Sequence, residues 1–284
     1  MSLWYSLVEL LPFEWAAPGH MFFMKNAMLA VLVITPLFGL LSTMVVTQKM
    51  SFFSDALGHC AFTGAAIGVL CGMKDPTLAS VAFAVALSAL FTWVRHRTTL
   101  ASDTVIGVFS STAVALGIFV ATFNGGSFTK FNSYLIGDIL SVDPASIGLL
   151  AIILLLVTAL WVTSFNRLLL SSVHPVLAHS RGVGVAWEEL LFTAAVAVVV
   201  TLSMTWVGLL VINSLLVLPA AAARNLAKNV RQYHLFAILG AIVCGLAGLF
   251  TSYYLGTSTG ASITLYLALY FLLSLAGHRL PERP

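Results

Sequence analysis

Residues 144–165 read PASIGLLAIILLLVTALWVTSF, a run without a single charged side chain. A helix needs about 20 apolar residues to cross the ~30 Å hydrocarbon core of a bilayer, and this run has that length. Two further runs, at 77–94 and 190–207, have the same character. The whole chain of 284 residues is 60% hydrophobic and 8% charged, whereas soluble domains carry about 25% charged residues. The sequence therefore predicts an all-α, polytopic helical membrane protein.

Hydropathy predicts nine membrane spans, although a count of eight also fits the pattern. The nine spans are expected at roughly 26–47, 55–72, 77–94, 104–123, 144–165, 190–207, 208–223, 234–255 and 260–277. The second and the seventh are short and contain Gly, Ser, Asn or Pro, so either could be a broken helix. Residues 131–140 are too few to span the membrane and are expected to form a re-entrant or surface segment.

The pattern divides the chain into three parts. Residues 1–20 are apolar and aromatic but lack the basic region of a signal peptide, so they are expected to lie at the membrane interface. Residues 21–278 form the predicted transmembrane domain, and residues 279–284 form a short cytoplasmic tail. The three cysteines show no CxxC spacing, so neither a disulfide framework nor a thiolate zinc site is predicted.

The basic residues fall mainly into alternate connections. Ten of the thirteen Lys and Arg residues follow odd-numbered spans: Lys49, Arg95, Arg97, Arg167, Arg181, Arg224, Lys228, Arg231, Arg279 and Arg283. The other three are Lys25, Lys74 and Lys130. Because cytoplasmic loops are rich in Lys and Arg, the N-terminus is predicted outside and the C-terminus inside. The longest cytoplasmic connection is then 166–189, and no GxxxxGK[ST] motif occurs, so any ATP hydrolysis is expected in another polypeptide and the chain itself is not expected to be an enzyme.

An acid and a histidine stand four residues apart in the stretch SDALGHCAFTG, at 54–64. On a helix, Asp55 and His59 share one face. A charge at the bilayer centre costs about 2.5–3.5 kcal/mol on insertion scales and usually faces a functional cavity. A carboxylate and an imidazole suit Zn²⁺, Mn²⁺ or Fe²⁺, but Asp is also favoured at helix N-termini. The residues alone leave both roles open for Asp55, and the depth of the pair depends on whether the helix begins near Met50 or at Ser54.

Two further residues stand out in the seventh span, VGLLVINSLLVLPAAAA, at 207–223. Asn213 is expected to hydrogen-bond to a neighbouring helix, as amides inside membranes do. Pro219 is expected to kink or end the span. Both residues are candidates either for lining a pathway or for packing.

The connection between the fifth and sixth spans contains SSVHPVLAHSRGVGVAW, at 171–187. Apolar residues alternate there with His174, His179 and Arg181, which predicts a short helix over 174–184 with an apolar face and a basic rim. A helix that docks a cytoplasmic partner and a tight turn between spans both fit this pattern.

Several stretches make the chain resemble the membrane permeases of ATP-binding-cassette importers for zinc, manganese or iron. KMSFFSDALGHCAFTGAAIG (49–68) is similar to that family's R-M-S-x-x-G-D-A-L-S-H-A-x-x-x-G run, and VGLLVINSLLVLPAAAARNLA (207–227) to its V-G-x-L-L-V-x-x-L-L-x-x-P-A-A-T-A run. GASITLYLALYFLLS (260–274) and DTVIGVFSSTAVALG (103–117) agree as well. The resemblance extends in order over residues 38–274.

The resemblance implies a homodimer in the bacterial cytoplasmic membrane, working with two cytoplasmic ATPases and an extracytoplasmic metal-binding protein, and no nucleic acid. It implies that Asp55 and His59 bind the ion in transit. It also implies that an ATPase contacts the chain through His174, Leu177, Ala178 and Gly182. No permanently bound cofactor is expected, and YLIGDILSVDP and LPAAAARNLAKN look more like zinc members, so zinc is favoured over manganese or iron.

The chain departs from the family pattern at several positions. Ser54, Gly58 and Cys60 replace the usual Gly, Ser and Ala, and Val176 replaces the acidic residue that is common before the Leu-Ala pair. The change at Val176 puts the ATPase contact in doubt, although Leu177, Ala178 and Gly182 keep the family's spacing.

Other functions fit the sequence less well. A proton-coupled secondary metal transporter would need more buried acids and ideally inverted repeats. An intramembrane hydrolase would need a nucleophile, and the HExxH and GxSxG motifs are both missing. A permease for haem or cobalamin-like ligands needs no pair of metal ligands.

Overall fold

Helices account for all regular secondary structure in the part of the chain that the structure describes. The computed structural model describes residues 2–9, 12, 14–17, 22–123 and 137–277. The helices are α1 (Ser2–Val8), α2 (Phe22–Thr47), α3 (Phe53–Leu70), α4 (Thr77–Arg97), α5 (Ser102–Thr122), α6 (Pro144–Val173), α7 (Pro175–Ser180), α8 (Val185–Val207), α9 (Leu209–Leu226), α10 (Val230–Leu255) and α11 (Thr259–Gly277). Within these ranges, nine helices, all except α1 and α7, are long and apolar enough to cross a membrane. The predicted all-α class and the predicted nine spans are therefore confirmed.

Local sequence signals explain where several helices begin. Pro144 opens α6 directly after Asp143, whose carboxylate accepts a hydrogen bond from the backbone N–H of Ser146 at 3.3 Å. Hydrogen bonding with Ser146 also lowers the pKa of the exposed Asp143 carboxyl. Asn229 caps α10 in the same way, since its side chain accepts from the N–H of Gln232 at 2.9 Å. A single residue, Gly208, joins α8 to α9, and its φ of 85° favours glycine.

The helix that carries Asp55 and His59 lies in the interior of the bundle. α2 and α3 are the most buried of the long helices, whereas α4, α5, α6 and α11 lie mainly at the periphery. α3 packs against α4 and α5, while α2 packs against α9 and α10. The contact of α3 with α4 needs Gly64, because a Cβ there would lie 2.6 Å from the Cα of Ser80. Small residues thus let the neighbouring helices hold α3 closely.

The connections after α2, α4, α6 and α9 lie together at one end of the bundle, which we call the basic end. It carries Lys49, Arg95, Arg167 and Arg224. Arg95 donates a hydrogen bond to the carbonyl of Gln48, directly after α2. Thr47, Leu169 and Arg224 line one cavity of about 210 Å³. The structure therefore groups these basic residues as the sequence predicts, and the side of the membrane that they face stays a prediction.

At the opposite end, the N-terminal segment folds onto the start of α2. Lys25 is fully buried, and its Nζ donates to Glu9 Oε1 at 3.0 Å and to the carbonyl of Ala17 at 3.2 Å. Trp4 Nε1 donates to the carbonyl of Lys25 at 2.9 Å, and Trp15 packs against Phe250 with ring centroids 5.8 Å apart. The segment is thus bound to the bundle, and its position at the membrane interface stays a prediction.

Some predicted boundaries were wrong. α6 extends to Val173 rather than 165, and α8 begins at Val185 rather than 190. α8 therefore contains Glu188 and Glu189, whose charges are paired with Arg167 and Arg95. Of the predicted re-entrant segment at 131–140, residues 131–136 lie outside the described residues, and Ile139–Ser141 forms a short 3-10 turn. The predicted tail at 279–284 also lies outside them.

Candidate functional site

Asp55 and His59 face the same space, as their spacing predicts. α3 begins at Phe53, so Asp55 lies in its first turn and His59 one turn later. His59 Nε2 is 3.6 Å from Asp55 Oδ2, which is longer than an ordinary hydrogen bond. The side chain of Asp55 is 43% exposed and that of His59 is 29% exposed. Both polar groups are therefore open to a ligand from one side.

The geometry does not place Asp55 as a side-chain cap of α3. The N-cap position is occupied by Phe52, where no side-chain cap hydrogen bond forms. Asp55 instead accepts a hydrogen bond from Asn213 Nδ2 of α9, with an N···O distance of 3.1 Å. A carboxylate in the first turn is still favoured by the helix dipole. The hydrogen bond of the Asp55 carboxylate nevertheless joins α3 to α9. The carboxylate therefore stays beside the imidazole of His59.

Asn213 is the residue that completes this cluster. It makes the interhelical hydrogen bond expected of an amide inside a span, and its partner is Asp55. Its own Oδ1 is buried and has no hydrogen-bond partner among the described residues. The Asn213 amide nitrogen thus fixes the orientation of the Asp55 carboxylate, while the Asn213 amide oxygen remains without a hydrogen-bond donor in the described part of the chain. The sequence could not identify this pairing, because the two residues are separated by 158 positions.

The cluster lies well inside the bundle. Asn213 and Arg224 are about 16 Å apart along the axis of α9, at 1.5 Å per residue, and Arg224 belongs to the basic end. Half of a ~30 Å hydrocarbon core is a similar distance. Along α9, Asn213 is therefore separated from the basic end by about half the thickness of a hydrocarbon core.

Pro219 lies in α9 but does not end it. The helix continues beyond this buried proline to Leu226. Of the two predicted effects of Pro219, an end of the span is excluded, and a kink stays a prediction. Ala220, Ala222 and Ala223 directly after it are fully buried, so the helix is held by close packing on its neighbours where one backbone hydrogen bond is lost.

One chain supplies an incomplete set of metal ligands at this place. Carboxylate oxygen and imidazole nitrogen are donors that Zn²⁺ and Mn²⁺ accept. Among the described residues, no group of three or more His, Cys, Asp or Glu side chains is arranged to hold a metal ion. Zn²⁺ in a structural site takes about four ligands from the protein. The pair therefore resembles part of an open site.

The predicted docking segment forms α7, which is shorter than expected. His174 lies between α6 and α7, and the helix itself covers Pro175–Ser180. Gly182, just beyond it, has a φ of 74°, which a side chain would strain. Val176 and Leu177 are 85% and 44% exposed, whereas Ala178 is fully buried. The exposed apolar surface of α7 therefore includes Val176 and Leu177, whereas Ala178 packs inward, and its predicted contact with an ATPase stays a prediction.

A cleft of about 890 Å³ opens beside α7 at the basic end. Its lining includes Gln48, Arg95, His179, Trp187 and Glu189. Trp187 is 61% exposed, which is unusual for the largest aromatic side chain. In the sequence, Arg95 contributes only to the predicted orientation, and nothing local shows that it meets Glu189 or lies near Trp187.

The chain matches known proteins over nearly its whole length. The family described as ABC 3 transport family matches residues 20–278. The manganese import system permease protein ScaB of Streptococcus gordonii is 30% identical over 256 residues, covering 89% of this chain and 90% of ScaB. The high-affinity zinc uptake system membrane protein ZnuB of Haemophilus influenzae is 28% identical over 249 residues, covering 88% of this chain and 95% of ZnuB.

The fold is also similar to a solved structure. A chain of PsaBC from Streptococcus pneumoniae in complex with Fab superposes with a TM-score of 0.76 at 25% identity. The similarity covers 97% of this chain and 95% of that one. The helical arrangement described above is therefore shared over the entire bundle.

Proposed function

Because the chain belongs to the ABC 3 transport family, we propose that it is the membrane permease subunit of an ATP-driven importer for a divalent transition metal ion. The observation that carries this proposal is the convergence of Asp55, His59 and Asn213 inside the bundle. Polar side chains within membrane spans are costly and usually serve a transported ion or substrate. Their donor types are those that transition metals accept.

The proposed cargo is zinc or manganese, without a preference for either. ScaB is named for manganese import and ZnuB for zinc uptake, and the chain is similarly related to both. The preference for zinc that the sequence analysis expected has no support from these relatives. A carboxylate with an imidazole suits both ions.

The proposed site is shared by two copies of the chain. One protomer offers two ligands that are open on one side. A two-fold axis beside them would bring two Asp oxygens and two His nitrogens together, which is a tetrahedral set for Zn²⁺. Ligands divided between two chains also suit a transit site, because an ion must be accepted there and then released.

The basic end of the bundle is cytoplasmic in this proposal, with the N-terminus outside. A partner ATPase binds there at α7, through the exposed side chains of Val176 and Leu177. The partner hydrolyses ATP, and this chain carries the ion. An extracytoplasmic metal-binding protein delivers the ion at the opposite end.

Uptake measurements test this function directly. The chain and its ATPase are reconstituted into proteoliposomes together with the extracytoplasmic metal-binding protein, and uptake of Zn²⁺ and Mn²⁺ is followed with ATP present or absent. We expect uptake to require hydrolysable ATP and to be insensitive to a proton gradient. Uptake driven by a proton gradient without ATP would instead establish a secondary transporter.

A further inference from the structure

Arg95, in the last turn of α4, binds two separate elements at the basic end. Its guanidinium donates to the carboxylate of Glu189 in α8, and its Nη2 donates to the backbone carbonyl of Gln48 at 3.2 Å. Nη1 also lies 3.3 Å from the sulfur of Met50. The side chains of Arg95 and Glu189 are 23% and 11% exposed, so this charge-assisted pair is partly shielded from water. The guanidinium thus bridges α8 and the turn at residues 48–52.

That turn leads directly into the helix of the candidate site. α3 begins at Phe53, and Asp55 follows within its first turn. The turn is tight, because Lys49 adopts a φ of 57° and the N–H of Phe53 bonds back to the carbonyl of Met50 at 3.0 Å. Met50 is fully buried. A short turn that is hydrogen-bonded and anchored in this way moves as a unit, so a displacement of the Gln48 carbonyl displaces the start of α3.

The other end of the bridge lies next to the docking segment. Glu189 is in the second turn of α8, which begins at Val185 shortly after α7 ends. His96 Nε2 lies 3.0 Å from the second carboxylate oxygen of Glu189, so α4 holds both oxygens. Ala178 of α7 is fully buried, which ties α7 to the bundle. A force applied to α7 therefore reaches the first turns of α8 and the carboxylate that Arg95 holds.

We infer that Arg95 is a positioning residue that couples the docking segment to the Asp55–His59 site. The inference rests on the proposed function, because such coupling has a meaning only in an ATP-driven transporter. When the ATPase displaces α7 and the start of α8, Arg95 carries the displacement to the turn at residues 48–52 and hence to α3. A planar guanidinium suits this task, since one rigid group holds both partners.

A neighbouring ion pair provides a matched comparison. Arg167 of α6 bonds to Glu188, the residue before Glu189, with an N···O distance of 3.3 Å. Its side chain is 66% exposed. Among the described residues, Arg167 makes no side-chain hydrogen bond to the turn at residues 48–52. Both ion pairs join an arginine to the same stretch of α8. Of these two arginines, Arg95 is the one that also binds the turn at residues 48–52, which leads into α3.

The test compares Arg95→Lys with Arg167→Lys in the complete transporter, reconstituted with its ATPase into proteoliposomes. Lysine keeps the charge at both positions but cannot bind two partners as a planar fork. We expect Arg95→Lys to lower the metal transported per ATP hydrolysed about tenfold, which is within the usual range of coupling between two sites. ATP hydrolysis and the binding of Zn²⁺ or Mn²⁺ without ATP should change by less than about twofold, since neither depends on the coupling. Arg167→Lys should keep the wild-type ratio.

Two results would overturn the inference. One is that Arg95→Lys transports as much metal per ATP hydrolysed as the wild type. The other is that transport and ATP hydrolysis fall by the same factor, which indicates a general role in folding. Should Arg95→Lys fail to assemble, Glu189→Gln carries the test, because it removes the charge at the α8 end and keeps the shape. We expect Glu189→Gln to lower the metal transported per ATP hydrolysed by the same factor, and an unchanged value refutes the inference. A failure of the proposed function looks different, because the wild-type complex would then show no ATP-dependent uptake of Zn²⁺ or Mn²⁺.

Discussion

Leu209 of α9 occupies the space beside Gly58 of α3, and a Cβ added at Gly58 would lie 2.2 Å from Leu209 Cδ1. The missing side chain lets the two helices approach closely, and one turn away Asn213 reaches the Asp55 carboxylate. The polar cluster therefore depends on a contact between two residues without polar side-chain atoms. Gly58 stands where the resembling metal permeases usually have serine, and a side chain there would require that of Leu209 to move.

Gly58→Ala should reduce metal uptake about tenfold, because overpacking typically costs ~1–3 kcal/mol and the buried Leu209 side chain has to move, which disturbs the contact that brings Asn213 to Asp55. Adding Leu209→Ala to the same chain should restore most of the uptake, as it removes the colliding atoms. Uptake in proteoliposomes measures both variants, with Leu209→Ala alone as the control. A Gly58→Ala chain with normal uptake would contradict this view of the helix contact.

Asp55→Asn and His59→Ala should each abolish uptake of Zn²⁺ and Mn²⁺. Asparagine keeps the shape of aspartate and its ability to cap a helix, so the loss would come from the missing charge and ligand. Expression, dimerisation and basal ATP hydrolysis should survive in both variants. Asp103→Asn is the matched control, because Asp103 also lies in the first turn of a helix but is exposed. Normal transport by Asp55→Asn would show that the acid is not a ligand.

Asn213→Leu should weaken metal binding by about tenfold or more, since a hydrogen bond to a charged group contributes ~1.5–3 kcal/mol and orients the Asp55 carboxylate. Asn225→Leu provides the comparison, because Asn225 is in the same helix and its amide donates to Ser274 at 2.9 Å. That second change should lower thermal stability without changing metal affinity. Titration of the purified permease with Zn²⁺ measures the affinities, and equal effects of the two changes would speak against the orienting role.

Replacing Val176 and Leu177 by Arg should release the ATPase while the permease still inserts. Both side chains are exposed on α7, and a protein interface tolerates unpaired charge poorly in its centre. Ala178→Asp should behave differently, because Ala178 is fully buried and its replacement should lower the yield of folded permease. Co-purification with the ATPase and the yield from membranes separate these outcomes. An intact complex with both exposed residues changed would refute docking at α7.

Cysteine labelling should place residues 98 and 226 in the cytoplasm. Thr98→Cys and Leu226→Cys at the basic end, each in a chain with Cys60, Cys71 and Cys244 removed, should resist a membrane-impermeant thiol reagent in intact cells and react after permeabilisation. The native Cys71 is exposed between α3 and α4, at the opposite end, so a chain that keeps it alone serves as the positive control. Labelling of position 98 or 226 from outside would reverse the proposed orientation.

Hydropathy predicted the nine long helices because each helix that crosses a bilayer needs a run of about 20 apolar residues, and such runs are visible in the sequence. The start of α8 was missed for a physical reason, since Glu188 and Glu189 look too polar for a span until Arg167 and Arg95 are seen to pair with them. The sequence predicted two of the three residues of the candidate site. The spacing of Asp55 and His59 shows in the sequence, whereas the contribution of Asn213 depends on how α3 and α9 pack.

The buried pair of Lys25 and Glu9 bears on how the chain enters the membrane. On the proposed orientation, Lys25 is a positive charge at the outer end of the first span, and such a charge works against translocation of the N-terminus. Glu9 binds its ammonium at 3.0 Å, so the two residues can cross as a neutral unit. Glu9 would then act as a built-in counterion for the first helix, and a chain that lacks Glu9 or carries Glu9→Gln would insert in the opposite orientation.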